Sequence, residues 1–161
     1  MKKECSVEEA RIKSEAYCSA AERCKSEVEY KLALWEVSPD AWEGILEHLI
    51  QEGFIDETRY AISFVRDKYR FNQWGRIKIT QALRMKHISD VDIREGLSAI
   101  DEEEYRTILI QLLVKKRRTL KCSSDYELNG KLIRFAASHG YEMNDILLSL
   151  KQIGCNDEYM D

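Results

Sequence analysis

The stretch Leu49-Ile-Gln-Glu-Gly53-Phe-Ile-Asp56-Glu57-Thr-Arg-Tyr60-Ala61-Ile-Ser-Phe64-Val65 decides how the chain folds. Gly53 ends one helix, because glycine alone enters the left-handed C′ conformation without a steric penalty. Asp56 or Glu57 opens the next, since a carboxylate there accepts orphan amide protons and meets the positive pole of the helix dipole. Tyr60, Ala61, Phe64 and Val65 follow at helical spacing and predict a core face. Past a basic turn, Trp74-Gly75-Arg76-Ile77-Lys78-Ile79 starts a third helix carrying Ile77, Ile79, Ala82 and Leu83. Two apolar stripes joined by a cation-rich corner predict helix packed on helix.

Outward from that hub the composition agrees. There is one proline, Pro39, and only seven glycines in 161 residues, so an all-α chain is expected. A hydrophobic fraction of 44% suffices for a core, and 34% charged residues predict a solvated surface. No apolar run approaches the roughly 20 residues that cross a bilayer. Met1-Lys2-Lys3 leads into Glu4, Ser6, Glu8 and Glu9 rather than an apolar segment, so a cytoplasmic protein without membrane contact is expected. Cys5, Cys18, Cys24, Cys122 and Cys155 are scattered and form no C-x-x-C pair. They read as buried or half-buried thiols, not as zinc ligands or disulfides.

A first helix near residues 7–22 is drawn through Val7, Ala10, Ile12, Ala16, Tyr17 and Ala20. Ser26, with Glu29 three residues on, predicts a capped second helix burying Val28, Leu32 and Trp35. Ser38-Pro39-Asp40 predicts the third start, serine as N-cap and proline at the first helical position. Trp42, Ile45, Leu46, Leu49 and Ile50 follow it at helical intervals. Ser89 to Asp92 open a helix burying Ile93, Leu97 and Ile100, and Asp101 to Glu104 open one through Tyr105, Ile108, Leu109, Leu112 and Leu113. Past the polar break at 121–125, one helix holds Leu128, Leu132, Ile133, Phe135 and Ala136. The last, after Gly140-Tyr141, holds Ile146, Leu147, Leu150 and Ile153 and closes at Gly154.

The pattern repeats. A shift of about fifty residues lays Ser38, Trp42, Leu46 and Leu49 on Ser89, Ile93, Leu97 and Ile100. A second lays Ile93, Leu97 and Ile100 on Ile146, Leu150 and Ile153, and His87-Ile88 on Gly140-Tyr141. The expected fold is three tandem three-helix, helix-turn-helix-like repeats in an elongated, curved array. The repeats take residues 1–57, a basic central 58–100, and 101–154, before a disordered tail over 155–161. Contacts, not floppy linkers, are expected near 57 and 101.

Charge is unevenly spread. Residues 1–57 hold 7 Lys and Arg against 14 Asp and Glu, residues 58–121 hold 15 against 8, and residues 122–161 hold 3 against 7. Such a basic middle suits phosphates or an acidic protein surface. Arg66, Arg70, Arg76, Lys78, Arg84 and Lys86 are the first candidates for contacts, followed by Lys115, Lys116, Arg117 and Arg118. Trp74, among Arg70, Phe71 and Arg76, is placed to stack on a base, fill a partner's pocket or staple the following helix. Reversing charge at Arg76, Lys78 and Arg84 together is expected to weaken binding without unfolding the chain.

Residues for catalysis do not assemble. His48, His87 and His139 are isolated, and His87 and His139 read as turn residues. Neither a His-Glu-x-x-His pair nor a glycine-rich phosphate loop occurs. A non-enzymatic binding protein without metal or cofactor is expected.

Cys24-Lys25-Ser26-Glu27 ahead of Leu32, Leu49-x-x-x-Gly53-Phe54-Ile55-Asp56-Glu57-x-Arg59-Tyr60-Ala61, the Arg66-to-Arg70 basic turn, Trp74-Gly75-Arg76-x-x-Ile79-x-x-x-Leu83-x-x-Lys86-His87-Ile88, and Gly140-Tyr141 with its apolar helix together resemble the RecX family of recombination regulators. Three positions depart from the family pattern. His87 stands where a glycine follows the lysine, Cys24 where an arginine precedes Lys/Arg-Ser-Glu, and Glu36-Val37 where a basic-glycine turn is customary. The resemblance implies a cytoplasmic monomer that binds the RecA recombinase and its DNA filament, with weak direct DNA binding of its own. It implies residence in the filament groove, where extension is limited or disassembly promoted. Strand exchange, ATP hydrolysis and coprotease action in recombination, DNA repair and the SOS response would be damped. The competing class is a helix-turn-helix transcriptional regulator, which predicts tight, sequence-dependent duplex binding, usually as a dimer. A third is a protein adaptor indifferent to nucleic acid.

Overall fold

Nine α-helices and one 3₁₀ turn, Pro39–Ala41, carry residues 5–158 of the computed structural model, the residues it describes, and no strand occurs among them. The helices are α1 (Val7–Ala20), α2 (Lys25–Leu34), α3 (Trp42–Gln51), α4 (Glu57–Arg70), α5 (Arg76–Met85), α6 (Asp90–Ser98), α7 (Glu102–Thr119), α8 (Asp125–Ser138) and α9 (Met143–Glu158). The fold is all-α, as the composition requires. Most starts are capped as a helix end demands: an oxygen of Asp56, Ser89, Asp101 or Ser124 accepts the amide three residues on, at 3.0–3.2 Å.

One turn occurs three times and exposes the repeat. After α2, α5 and α8 the backbone turns left-handed at Glu36 (φ 58), His87 (φ 63) and Gly140 (φ 94). The next residue, Val37, Ile88 or Tyr141, is buried. Its amide donates back to the carbonyl of Leu32, Leu83 or Ala136 at 3.0, 3.2 and 3.2 Å, the Schellman arrangement. Only the third copy uses glycine. Glu36 and His87 accept a left-handed cost of roughly 1–2 kcal/mol each, offset by burying the apolar residue behind them. Helices α1–α3, α4–α6 and α7–α9 are thus three like triplets.

The chain packs as two compact units, one holding residues through Ser63 with Leu83–Gly96, the other Phe64–Ala82 with Leu97 onward. In the first, Ala10, Cys18, Val28, Leu32, Val37, Ile45, Leu49 and Ile55 form the core, and Trp35, Trp42, Leu46 and Phe54 pack against it. Each fully buried leucine or isoleucine contributes roughly 1.5–3 kcal/mol of burial. Contacts close the α3–α4 connection here: the Lys25 amide donates to Glu57 at 3.1 Å, and Arg59 pairs with Glu22 at 2.7 Å. In the second unit a ladder of buried tyrosines, Tyr69, Tyr105 and Tyr141, has ring centroids 6.3 and 5.2 Å apart, with Leu109, Leu113, Leu132 and Ile146 buried as well.

Several local expectations are corrected. Helix α1 buries Ala10, Ser14 and Cys18, while Val7, Ile12 and Ala16 face solvent; small residues at this spacing allow close packing that hydropathy does not weigh. Cys24, not Ser26, caps α2, and Glu27 rather than Glu29 accepts its amide, at 3.1 Å. Ser38 makes no cap bond, and Pro39 opens a 3₁₀ turn before α3. Ile50, Ile77 and Leu147 are exposed, and Trp35, Trp42, Phe64 and Leu97 only half-buried. Gly154 does not close the last helix, which runs on to Glu158; the remainder of the expected disordered tail, 159–161, lies outside the described residues. Cys18 and Cys24 are buried free thiols, Cys5 and Cys122 half-buried ones, and burial pushes the Cys18 thiol up to about 11. The side chain of Cys155 lies outside the described residues.

Candidate functional site

The first amides of α5 need acceptors, yet Trp74 and Gly75 have no side-chain oxygen to offer. The end of α8 supplies them: His139 accepts the Gly75 amide at 2.7 Å, and Gly140 accepts the Ile77 amide at 2.9 Å. Orphan donors at one helix start meet orphan acceptors at another helix end, and the opposed dipole poles attract. Both glycines are obligatory for this approach. A Cβ on Gly75 would overlap the backbone of Gly140 and Tyr141, and one on Gly140 would overlap Lys78.

This junction fixes a basic, aromatic cluster within the second unit. Gln73 turns left-handed (φ 59), and the Trp74 amide donates to the Lys68 carbonyl at 3.0 Å. The Trp74 ring then has the Lys68 ammonium 4.8 Å and the Lys78 ammonium 4.7 Å from its centroid. Next to them His139 lies 4.7 Å from the Phe135 ring, over which Lys116 sits at 4.8 Å. Burial foremost, then the charges of Lys78 and Lys116, hold His139 below its ordinary range, against a backbone hydrogen bond to Gln73 that raises it. Near neutral pH the imidazole is therefore uncharged, and the lysines carry the charge. Among the described residues none of Lys68, Lys78 and Lys116 has a carboxylate partner.

The other candidates divide sharply. Arg66, Lys115 and Arg118 are exposed and Arg117 is half-buried. Arg70 is paired with Glu104 at 2.6 Å. Arg76, its side chain only 19% exposed, is committed to Glu102, to Glu142 at 3.5 Å and to Asp145 at 3.7 Å. It is a packing residue of the second unit, so reversing its charge would disturb the fold. Arg84 and Lys86 belong to the first unit, where they face Asp90 at 3.6 Å and Glu27 at 3.3 Å. The Lys86 carbonyl also accepts the Ser26 hydroxyl at 2.8 Å. Sequence reading passed over Lys68, Phe135 and His139 as site residues. The i, i+4 spacing of Phe135 and His139 was the available signal, but it serves equally for a core stripe.

Among the described residues no His, Cys, Asp and Glu group is placed to hold a metal ion, and no helix is long and apolar enough to cross a membrane.

Comparison with known proteins yields consistent matches. The family model for the second three-helix domain of RecX matches residues 56–97, and that for the third matches 102–147. The regulatory protein RecX of Clostridium botulinum (strain Eklund 17B / Type B) is 32% identical over 141 residues, 86% of this chain and 65% of the relative. That of Clostridium perfringens (strain SM101 / Type A) is 31% identical over 155 residues, 94% of this chain and 72% of the relative. That of Bacillus mycoides (strain KBAB4) is 26% identical over 147 residues, 91% and 54%. The chain thus spans just under two thirds of the length of the Clostridium botulinum relative and about half that of the Bacillus mycoides one. The crystal structure of RecX from Lactobacillus salivarius shares the fold, with a TM-score of 0.83 at 21% identity over 92% of this chain and 97% of that one.

Proposed function

The chain belongs to the RecX family, and from that premise we propose that it is a regulator that binds the RecA recombinase on DNA and restrains its ATP hydrolysis, strand exchange and coprotease action. The observation that carries the reading is the set of carboxylate-free lysines Lys68, Lys78 and Lys116, seated on Trp74 and Phe135. Fixed ammonium groups without carboxylate partners lose little on meeting a polyanion and release its counterions. Arg66, Lys115 and Arg118 add exposed charge on the same unit. Cytoplasmic action in recombination, DNA repair and the SOS response belongs to the same proposal.

The helix-turn-helix transcription reading is less well supported by the helices that would enter a major groove. The third helices of the triplets, α3, α6 and α9, hold Arg94 and Lys151 as their only lysines or arginines, and a recognition helix needs basic and amide side chains at base edges. Adding the protein to RecA on single-stranded DNA and following ATP hydrolysis separates the two. Inhibition supports the regulator; tight, sequence-dependent duplex binding without recombinase, and no inhibition, supports the transcription factor.

A further inference from the structure

The first unit carries an open groove between α2 and α3 that the basic cluster does not use. Its floor is Trp42, Leu46 and Ile50, one helical turn apart along α3. Trp42 is locked in place, its indole N–H donating to the Val37 carbonyl at 3.0 Å. Ile50 is 46% exposed. Glu29, Glu43 and Glu47 rim the groove together with one cation, Lys25, whose ammonium lies 3.7 Å from Glu57; among the described residues none of the three glutamates has a cationic partner. An apolar floor with a net acidic rim selects an apolar anchor accompanied by cations.

The chain itself displays such an anchor. Phe71, just past the end of α4, is 79% exposed. Arg66 and Lys68 lie on the last turns of α4 before it, on either side of the exposed Asp67 in the chain, and neither cation is paired with a carboxylate among the described residues. We propose that the α2–α3 groove of one molecule receives Phe71 and the basic turn that precedes it from a second copy, so that molecules associate head to tail. Knob and groove are different surfaces, so the contact is heterologous, and each molecule in a row offers one of each. Charge complementarity makes the contact salt-sensitive, and the aromatic anchor gives it a defined seat. The monomer that the family resemblance implies leaves this contact out.

Sedimentation velocity on the full chain tests it. In about 50 mM salt the parent's average sedimentation coefficient is expected to rise with concentration, and to fall back in about 500 mM salt. Phe71→Ser, which removes the knob, and Glu43→Lys/Glu47→Lys, which inverts the rim, should each weaken self-association by at least about tenfold. An equimolar mixture of the two is the decisive sample, because each variant keeps the surface the other lacks; it should form discrete 1:1 dimers. Circular dichroism melts matching the parent confirm that both variants fold, and Glu43→Gln/Glu47→Gln replaces the lysine pair if that variant melts early. A parent that stays a single monomeric species to about 500 µM in low salt, association that survives both variants, or a mixture that stays monomeric would each overturn the proposal.

Discussion

The guanidinium of Arg76 lies 4.2 Å from the ring centroid of Tyr105, and the Tyr105 hydroxyl accepts the Arg76 amide at 3.0 Å. That same hydroxyl donates to Glu142 at 3.0 Å. One tyrosine therefore joins the starts of α5, α7 and α9, and Arg76 neutralises the acids gathered there. Arg76→Met is expected to destabilise the protein by about 1–3 kcal/mol, less than a fully buried pair because Glu102 lies largely in solvent. Urea denaturation checks this; a midpoint equal to the parent's would contradict it.

Two glycine-to-alanine changes should move stability in opposite directions. At Gly75 the new methyl meets the backbone of Gly140 and Tyr141, and a loss of more than about 3 kcal/mol is expected, since neither backbone can step aside. A methyl group added at Gly44, inside α3, would meet nothing within 4 Å. Gly44→Ala is expected to gain roughly 0.5–1 kcal/mol from helix propensity alone. Thermal melts of the two variants read the contrast directly.

His139 gives the fold a pH dependence whose sign is fixed by its depressed pKa. Above the ordinary value of 6.5 the imidazole is neutral in both folded and unfolded chains, and the full contribution is present. As pH falls through that value the unfolded chain takes up the proton first, so stability is lost toward the lower folded pKa. Denaturation midpoints of the parent should therefore fall between pH 8 and pH 5 by more than those of His139→Gln. Equal slopes would contradict the burial argument.

Much of the fold was legible because helices announce their ends. Gly53, Asp56, Ser89 and Asp101 mark boundaries through the chemistry of orphan amides and carbonyls, and the structure uses each of them. Helix α1 was misread in phase because Ser14 is buried where a hydropathy stripe has no reason to place it. The caps of α2 and α5 were harder still. Ser26 spends its hydroxyl on Lys86, and the α5 start is capped by carbonyls from α8, partners that no local window contains.

The candidate site was half legible for a related reason. Sequence shows that a residue is charged, not whether the charge is already answered. Arg66 and Arg76 look alike in the chain, yet one is exposed and the other is enclosed by three carboxylates. Lys68 and Lys116 gained importance only once Trp74 and Phe135 were seen beneath them.

The most direct test of the regulatory role compares the parent with Lys68→Glu/Lys78→Glu/Lys116→Glu as inhibitors of RecA ATP hydrolysis on single-stranded DNA. The expected result is inhibition by the parent, and a requirement for at least about tenfold more of a variant whose thermal melt is unchanged. Equal potency of the two proteins, or a parent that leaves hydrolysis untouched, would contradict it.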